Sequence, residues 1–327
     1  MFGVVVYGRS VIVESGLRFV RTFVSITLFP LALLAALFSC WGLLGRQVEP
    51  GLIVGLVSVL TIVIVALAER IFPYRRDWLL SHQDVRTDIF HNLLNSYGFR
   101  ELYKIGLIAV LLPLVIVLSE GANMTFWPER LPLALQVVAA LAIAELALYW
   151  VHRLCHENSF FWRFHMVHHS PKRLYWLNAG RDHPLGVLLF VLAGSTPLIV
   201  MGAPADVMTY YFIVEAVHGL FQHANIQLRF GLLNYFFSTA ALHRWHHSNK
   251  SAEANHNYGQ TLILWDLLFR TYHHPRDRIV ERVGLEGMAD FPSSFGAQML
   301  APFRPYSAFE SAKTSAVKAP ATQQMQD

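Results

Sequence analysis

Three short stretches of this chain set imidazoles at the spacing of metal ligands. They read His152-Arg-Leu-Cys-His156, His165-Met-Val-His168-His169 and His243-Arg-Trp-His246-His247, and hold eight of the sixteen histidines. On an α-helix, positions i, i+3 and i+4 share a face, so each stretch can aim two or three rings into one cavity. A neutral imidazole binds transition metals well, and clustered pairs can hold more than one ion. A lone histidine is usually packed or solvated. Eight of them, in three clusters of ligand spacing, predict a metal centre. The chain has only two cysteines, Cys40 and Cys155, too few and too scattered for a zinc finger, and HExxH is absent.

The elements that would position these rings are apolar. Of 327 residues, 54% are hydrophobic and 15% charged, against about 25% charged in soluble domains. Crossing a bilayer takes about 20 apolar residues. Thr22 to Gly45, Pro50 to Ala68, Ile105 to Ser119 and Leu131 to Val151 read as transmembrane helices, the third of them short. Pro184 to Pro204 and Val207 to Phe221 read either as two further spans or as a hairpin that enters and returns; Gly194 and Pro197 fit a broken helix. Arg9, Arg18 and Arg21 precede the first run with no small-residue cleavage site after it, so that run is expected to stay as an anchor. Basic residues gather after the second run (Arg70, Arg75, Arg76, Arg86, Arg100, Lys104) and after the fourth (Arg153, Arg163, Lys172, Arg173, Arg181). The positive-inside tendency then puts the N-terminus and the histidines on the cytoplasmic side of a multi-pass protein. A net charge of +4, dispersed beside apolar runs, does not argue for nucleic acid. The expected fold is all-α: an integral membrane helical bundle with a cytoplasmic histidine-rich metal site. Residues 1–79 would form a transmembrane hairpin and juxtamembrane segment, 80–275 the catalytic part and 276–327 a tail, disordered from about Ser311.

Further motifs accompany the clusters. The chain reads Glu145 through His156, Trp-Arg-Phe-His-Met-Val-His-His-Ser (162–170), Arg-Asp-His-Pro (181–184), Phe-Gln-His-Ala-Asn (221–225), His-Arg-Trp-His-His-Ser (243–248) and Asn-Tyr-Gly (257–259), then Trp265-Asp266. In order, type and spacing this set resembles the fatty acid hydroxylase and sterol desaturase superfamily of membrane di-iron enzymes, over roughly residues 80–275. The resemblance implies two iron ions that activate dioxygen. It implies ligands at His152, His156, His165, His168, His169, His243, His246 and His247, at His223 between the second and third clusters, and at His183 and His256. Oxidation of an unactivated C–H bond, as hydroxylation or desaturation of a lipid from the bilayer, would follow. No nucleotide-binding glycine motif is present, so electrons would come from a ferredoxin or b-type cytochrome.

Metal-bound imidazoles usually donate their second N–H to a carboxylate or carbonyl. Glu145, two turns before His152 within an apolar run, and Asp266 are candidates for that role, with Asp182, Glu215, Asn178 and Asn255 weaker ones. Asp266 could instead cap a helix. His218, five residues before His223, is a doubtful ligand. Arg86, Asp88 and Asn92, with His82 and His91, read as the solvated face of a juxtamembrane helix, and His273 and His274 as surface residues. Trp78, Tyr97, Tyr103, Trp127, Trp150 and Trp162 read as an interfacial belt. The rival function is a zinc or nickel transporter or a metal-storage membrane protein, but a transporter would place ionisable ligands near the bilayer midplane, and most of these histidines lie past span ends. A catalytically dead scaffold is the third reading.

Overall fold

The protein was analysed as a computed structural model, which describes residues 7–122 and 126–309, with side chains described for 18–117 and 126–309. The tail expected to be disordered from Ser311 lies outside the described residues. Helix α1 (Tyr7–Leu44) turns back into α2 (Pro50–Ile71). Pro50 opens α2 because a first-turn residue needs no N–H partner, and the Glu49 carboxylate accepts from Leu52 N at 2.8 Å. Helix α3 (Val85–His91) widens into a π-helix, Asn92–Phe99, and resumes as α4 (Arg100–Ala122). Then follow α5 (Leu133–Glu157), α6 (Ser159–His169), α7 (Pro184–Met201), α8 (Ala205–His223) and α9 (Ala240–His246). Asn158 sits between α5 and α6, where its side chain accepts from Phe160 N and Phe161 N, so a sharp corner brings two histidine clusters together. Among the described residues no strand forms, only isolated bridges.

Four helices are long and apolar enough to cross a membrane: Arg18–Leu44 of α1, then α2, α5 and α7. The segment Ile105–Ser119, read as a span, belongs to a helix that begins Arg100-Glu101 and carries Lys104; over its described residues α4 is not among the four. The run at Pro184 is one uninterrupted helix rather than a broken one. Pro197 lies inside it, and the helix ends at Gly202, whose φ of 79° suits glycine. Helix α8, with Glu215 and His218, is not among the four either; it is packed against α1, α2 and α5. α1 and α2 present Phe19, Phe38, Trp41, Leu60 and Leu67 outward, a face that water would penalise and lipid accepts.

The core sits on α8. Phe29 of α1 is buried edge-on against Phe221, Phe230 and Phe237, with ring centroids 5.4, 5.6 and 5.7 Å away. His218 packs on the same ring, at 5.7 Å. Two tryptophans assigned to an interfacial belt are interior instead. Trp127 donates to Gln136 Oε1 at 2.6 Å, and Trp78 is buried with Leu174 and Trp245. Trp150 and Tyr97 are about half exposed. Truncation of the Phe29 hub, Phe29→Ala, is expected to remove about 3 kcal/mol of stability. A thermal melt of the detergent-solubilised protein would show it, and an unchanged transition would mean that α1 is not held to α8 by this ring.

Candidate metal centre

Helices α5, α6, α8 and α9 end around one interior space. Their imidazoles form two groups whose ligand-capable nitrogens all lie within 4.8 Å of one another: His152, His156, His165, His169 and His246, and beside them His168, His223, His243 and His247. The groups adjoin, with the His169 and His247 rings stacked at 4.4 Å. Within the first, His165 Nε2 lies 3.0 Å from His152 Nε2 and 3.1 Å from His169 Nε2. Within the second, His243 Nε2 lies 2.9 Å from both His223 Nε2 and His247 Nε2.

The outer nitrogens decide what those contacts mean. His152 Nδ1 is 2.6 Å from the Tyr258 carbonyl, His168 Nδ1 2.9 Å from that of Arg181, and His246 Nδ1 2.8 Å from that of His256. A carbonyl only accepts, so each Nδ1 carries the proton and each Nε2 a lone pair. His223 Nδ1 meets Asn178 Oδ1 at 3.0 Å, and His156 Nδ1 meets Asn255 Oδ1 at 3.1 Å. The Asn178 amide is itself oriented, because its Nδ2 donates to the Arg173 carbonyl at 2.7 Å. His156 Nε2 and His246 Nε2 are buried with no hydrogen-bond partner. Two nitrogens at right angles around a metal roughly 2.1 Å from each would be about 3.0 Å apart. The observed separations match that value, so the donor set fits metal ions. Burial, reinforced by neighbouring rings, holds His165, His169, His243, His246 and His247 well below the ordinary imidazole range, and burial takes His168 down to about 4. The rings are therefore neutral, as ligation requires.

Two residues expected among the ligands stand outside both groups. His183 is the N-cap of α7, where its Nδ1 accepts from Leu185 N at 3.2 Å and its Nε2 faces the Met299 carbonyl at 3.3 Å, so both nitrogens are engaged. The His256 ring packs on His273 at 4.7 Å, and only its backbone carbonyl serves the centre, through His246. His218 is likewise apart, packed between aromatic rings. Glu145 and Asp266 touch no imidazole. The Glu145 carboxylate accepts from Gln260 N and from Thr261 N, and Asp266 accepts from Tyr258 N and Gly259 N at 2.8 Å each. Both thus clamp the loop that presents the Tyr258 carbonyl to His152. Of the weaker candidates, Asn178 and Asn255 reach rings directly.

Part of the polar set read as the solvated face of α3 is interior. Asp88 accepts from Arg181 Nε and from Tyr175 Oη, both at 2.6 Å, and so fixes the strand of chain whose carbonyl orients His168. Burial raises the Asp88 carboxyl above its ordinary range, while Arg181 and Tyr175 draw it back. His91 is buried between the Asp182 carbonyl and Gln298, and burial lowers it to about 4; Arg86 and His82 are exposed as expected. His273 is half-buried against Trp245 rather than at the surface, and His274 is half-buried as well. Two further buried carboxylates hold this frame. Asp84 binds Arg173 through two contacts of 2.8 Å, and Glu69, at the end of α2, accepts from Trp176 N and Asn225 N. An acidic residue closing an apolar run, as Glu69 does, was the available signal.

A cavity of about 960 Å³ reaches the centre, lined there by His152, His165, His168, His223 and His243, and extends away between α2, α4, α7 and α8.

Comparison with known proteins places the chain in a family. A fatty acid hydroxylase family model matches residues 137–271. The ornithine lipid hydroxylase OlsE of Rhizobium tropici is 41% identical over 246 residues, 74% of this chain and 73% of that protein. Sphinganine C4-monooxygenase 1 of Arabidopsis thaliana is 26% identical over 171 residues, 51% of this chain and 65% of that protein. Alkylglycerol monooxygenase of Homo sapiens is 26% identical over 136 residues, 42% of this chain and 30% of that protein. No solved structure matches. These relatives are hydroxylases and monooxygenases, and a metal-transport reading is not favoured. The chain belongs to the fatty acid hydroxylase family and is an oxygen-dependent oxidoreductase of membrane lipid.

Proposed function

We propose that the two histidine groups hold two iron ions and that the chain hydroxylates an amphiphilic lipid, of the kind its ornithine-lipid relative is named for, at the cytoplasmic face of the membrane. The observation that carries this reading is the pair of adjoining groups of buried, neutral imidazoles at the end of a cavity that opens along membrane-spanning helices. Iron, when bound, supplies the activation of dioxygen that no side chain can provide. In the overall reaction a C–H bond becomes C–OH. The second oxygen atom leaves as water, with two electrons from a ferredoxin or b-type cytochrome and two protons. The basic loops beside the histidines support both the cytoplasmic placement and the docking of an acidic electron carrier.

The chain's own part is positional. The Tyr258, Arg181 and His256 carbonyls and Asn178 hold four rings in the tautomer that turns Nε2 inward. Glu145 and Asp266 keep the Tyr258 loop in place. Apolar walls such as Val187 and Phe190 exclude water beside His152 and His165, and leave one stretch of substrate against the centre.

Purified wild-type protein is expected to hold about two irons per chain, one for each group, and to consume dioxygen given a reductant and lipid extract. Product mass separates the chemistries: one added oxygen for hydroxylation, two lost hydrogens for desaturation. His168→Ala and His246→Ala, one from each group, are each expected to abolish turnover and lower bound iron while membrane insertion persists. Full turnover in either would remove that ring from the ligand set. Stoichiometric zinc with no oxygen uptake would refute the oxygenase. Asp88→Asn leaves Arg181 without its buried counter-charge, and is expected to lower stability by about 3 kcal/mol and reduce iron retention. A variant with wild-type melting and iron content would show that the Arg181 carbonyl is held by other means.

A further inference from the structure

The cavity is not apolar along its whole length. Past the histidines it carries charge of both signs, Arg100 at the start of α4 and Glu215 in α8. Other charged groups on its wall are paired or held. Lys104 binds Glu101 at 3.0 Å and lies over the Phe212 ring, and the Asp182 carboxylate accepts from His183 N at 2.7 Å. Glu215 has a single hydrogen bond among the described residues, from Tyr211 Oη at 2.8 Å. The Arg100 guanidinium has neither hydrogen bond nor ion pair among them, and stands within electrostatic range of Asp182 and Tyr211. Ionisable groups facing a membrane-embedded cavity are costly unless something of opposite charge meets them.

The route from these groups to the metal centre is open. Glu215, Gly219 and His223 follow one another at i, i+4 and i+8 on roughly one face of α8, spanning about 12 Å. A Cβ added at Gly219 would meet nothing within 4 Å. Farther out the wall turns apolar, with Val54, Ile62, Ile105 and Leu112 from α2 and α4. Since α2 packs on α8 and α4 on α7, the cavity runs between the two pairs.

We infer that Arg100 and Glu215 form a subsite for a zwitterionic lipid head group, its ammonium against Glu215 and its carboxylate or phosphate against Arg100. The polar end of the lipid is thereby turned toward the metal centre, and the acyl chains lie between α2 and α4. This rests on the lipid-hydroxylase reading above.

The test uses full-length, iron-loaded protein in detergent and three probes with matched acyl chains: an ornithine lipid (ammonium and carboxylate), phosphatidylethanolamine (ammonium and phosphate) and phosphatidylglycerol (anion only). Lipid retention in native mass spectrometry reads binding without turnover. At least one zwitterionic probe is expected to be preferred over phosphatidylglycerol roughly ten-fold, and the winner tells carboxylate from phosphate. Glu215→Gln and Arg100→Gln are each expected to erase that preference while keeping wild-type iron. Should Glu215→Gln fail to fold, Arg100→Gln carries the same comparison. Equal retention of all three probes by wild type, or a preference that survives in the variants, overturns the subsite. Fragmentation of the oxidised lipid is expected to place the new oxygen at the head-group end; oxygen near an acyl terminus overturns the head-first orientation but not the hydroxylase reading. If no probe is oxidised with any reductant, the hydroxylase reading falls, and the retention data still decide the subsite.

Discussion

The site depends on the direction of a few N–H bonds. In each of three rings a backbone carbonyl takes the Nδ1 proton, and an oriented asparagine does the same for a fourth. What remains is a set of lone pairs facing inward, packed closer than neutral rings with no shared purpose would tolerate. Uncompensated, such crowding of buried nitrogens is unfavourable. It becomes favourable when a cation takes their place as the common partner, which ties the architecture of the centre to its occupancy.

That economy explains where the carboxylates went. Among the described residues Glu145, Asp266, Asp88 and Glu69 hydrogen-bond none of the clustered imidazoles; each binds backbone or arginine in the segments that deliver the carbonyls and asparagines. Keeping negative charge one layer back leaves an all-nitrogen donor set. It also makes a rigid frame from loops that would otherwise be the softest part of a helical membrane protein.

Much of this was legible in the residues. The i, i+3 and i+4 histidines had to share helix faces, and the apolar runs had to be helices, so the all-α bundle and the shared face within each cluster followed from spacing. What spacing could not give was which long-range partner each ring meets. His183 and His256 sit in stretches as histidine-like as the rest, yet one caps a helix and the other offers only its backbone. Asp88 looked solvated because a short polar helix is ambiguous until the arginine that covers it, ninety-three residues away, is in place. Pro197 fits a break by local preference, yet α7 runs through it, packed between α4 and α5. Local pattern fixes elements; burial of polar groups is decided by contacts far along the chain.

The π-helix from Asn92 to Phe99 carries a consequence of its own. Its wide turns join α3, whose Asp88 holds Arg181, to α4, whose Arg100 and Lys104 line the cavity. Rewinding the same eight residues at the ordinary α-helical pitch, about 100° per residue, would swivel one helix against the other. The rare winding thus acts as a phase-setter between Asp88 and the cavity-lining start of α4 on one continuous rod, and a change in the length of these eight residues should alter that phase more than a substitution at the same places.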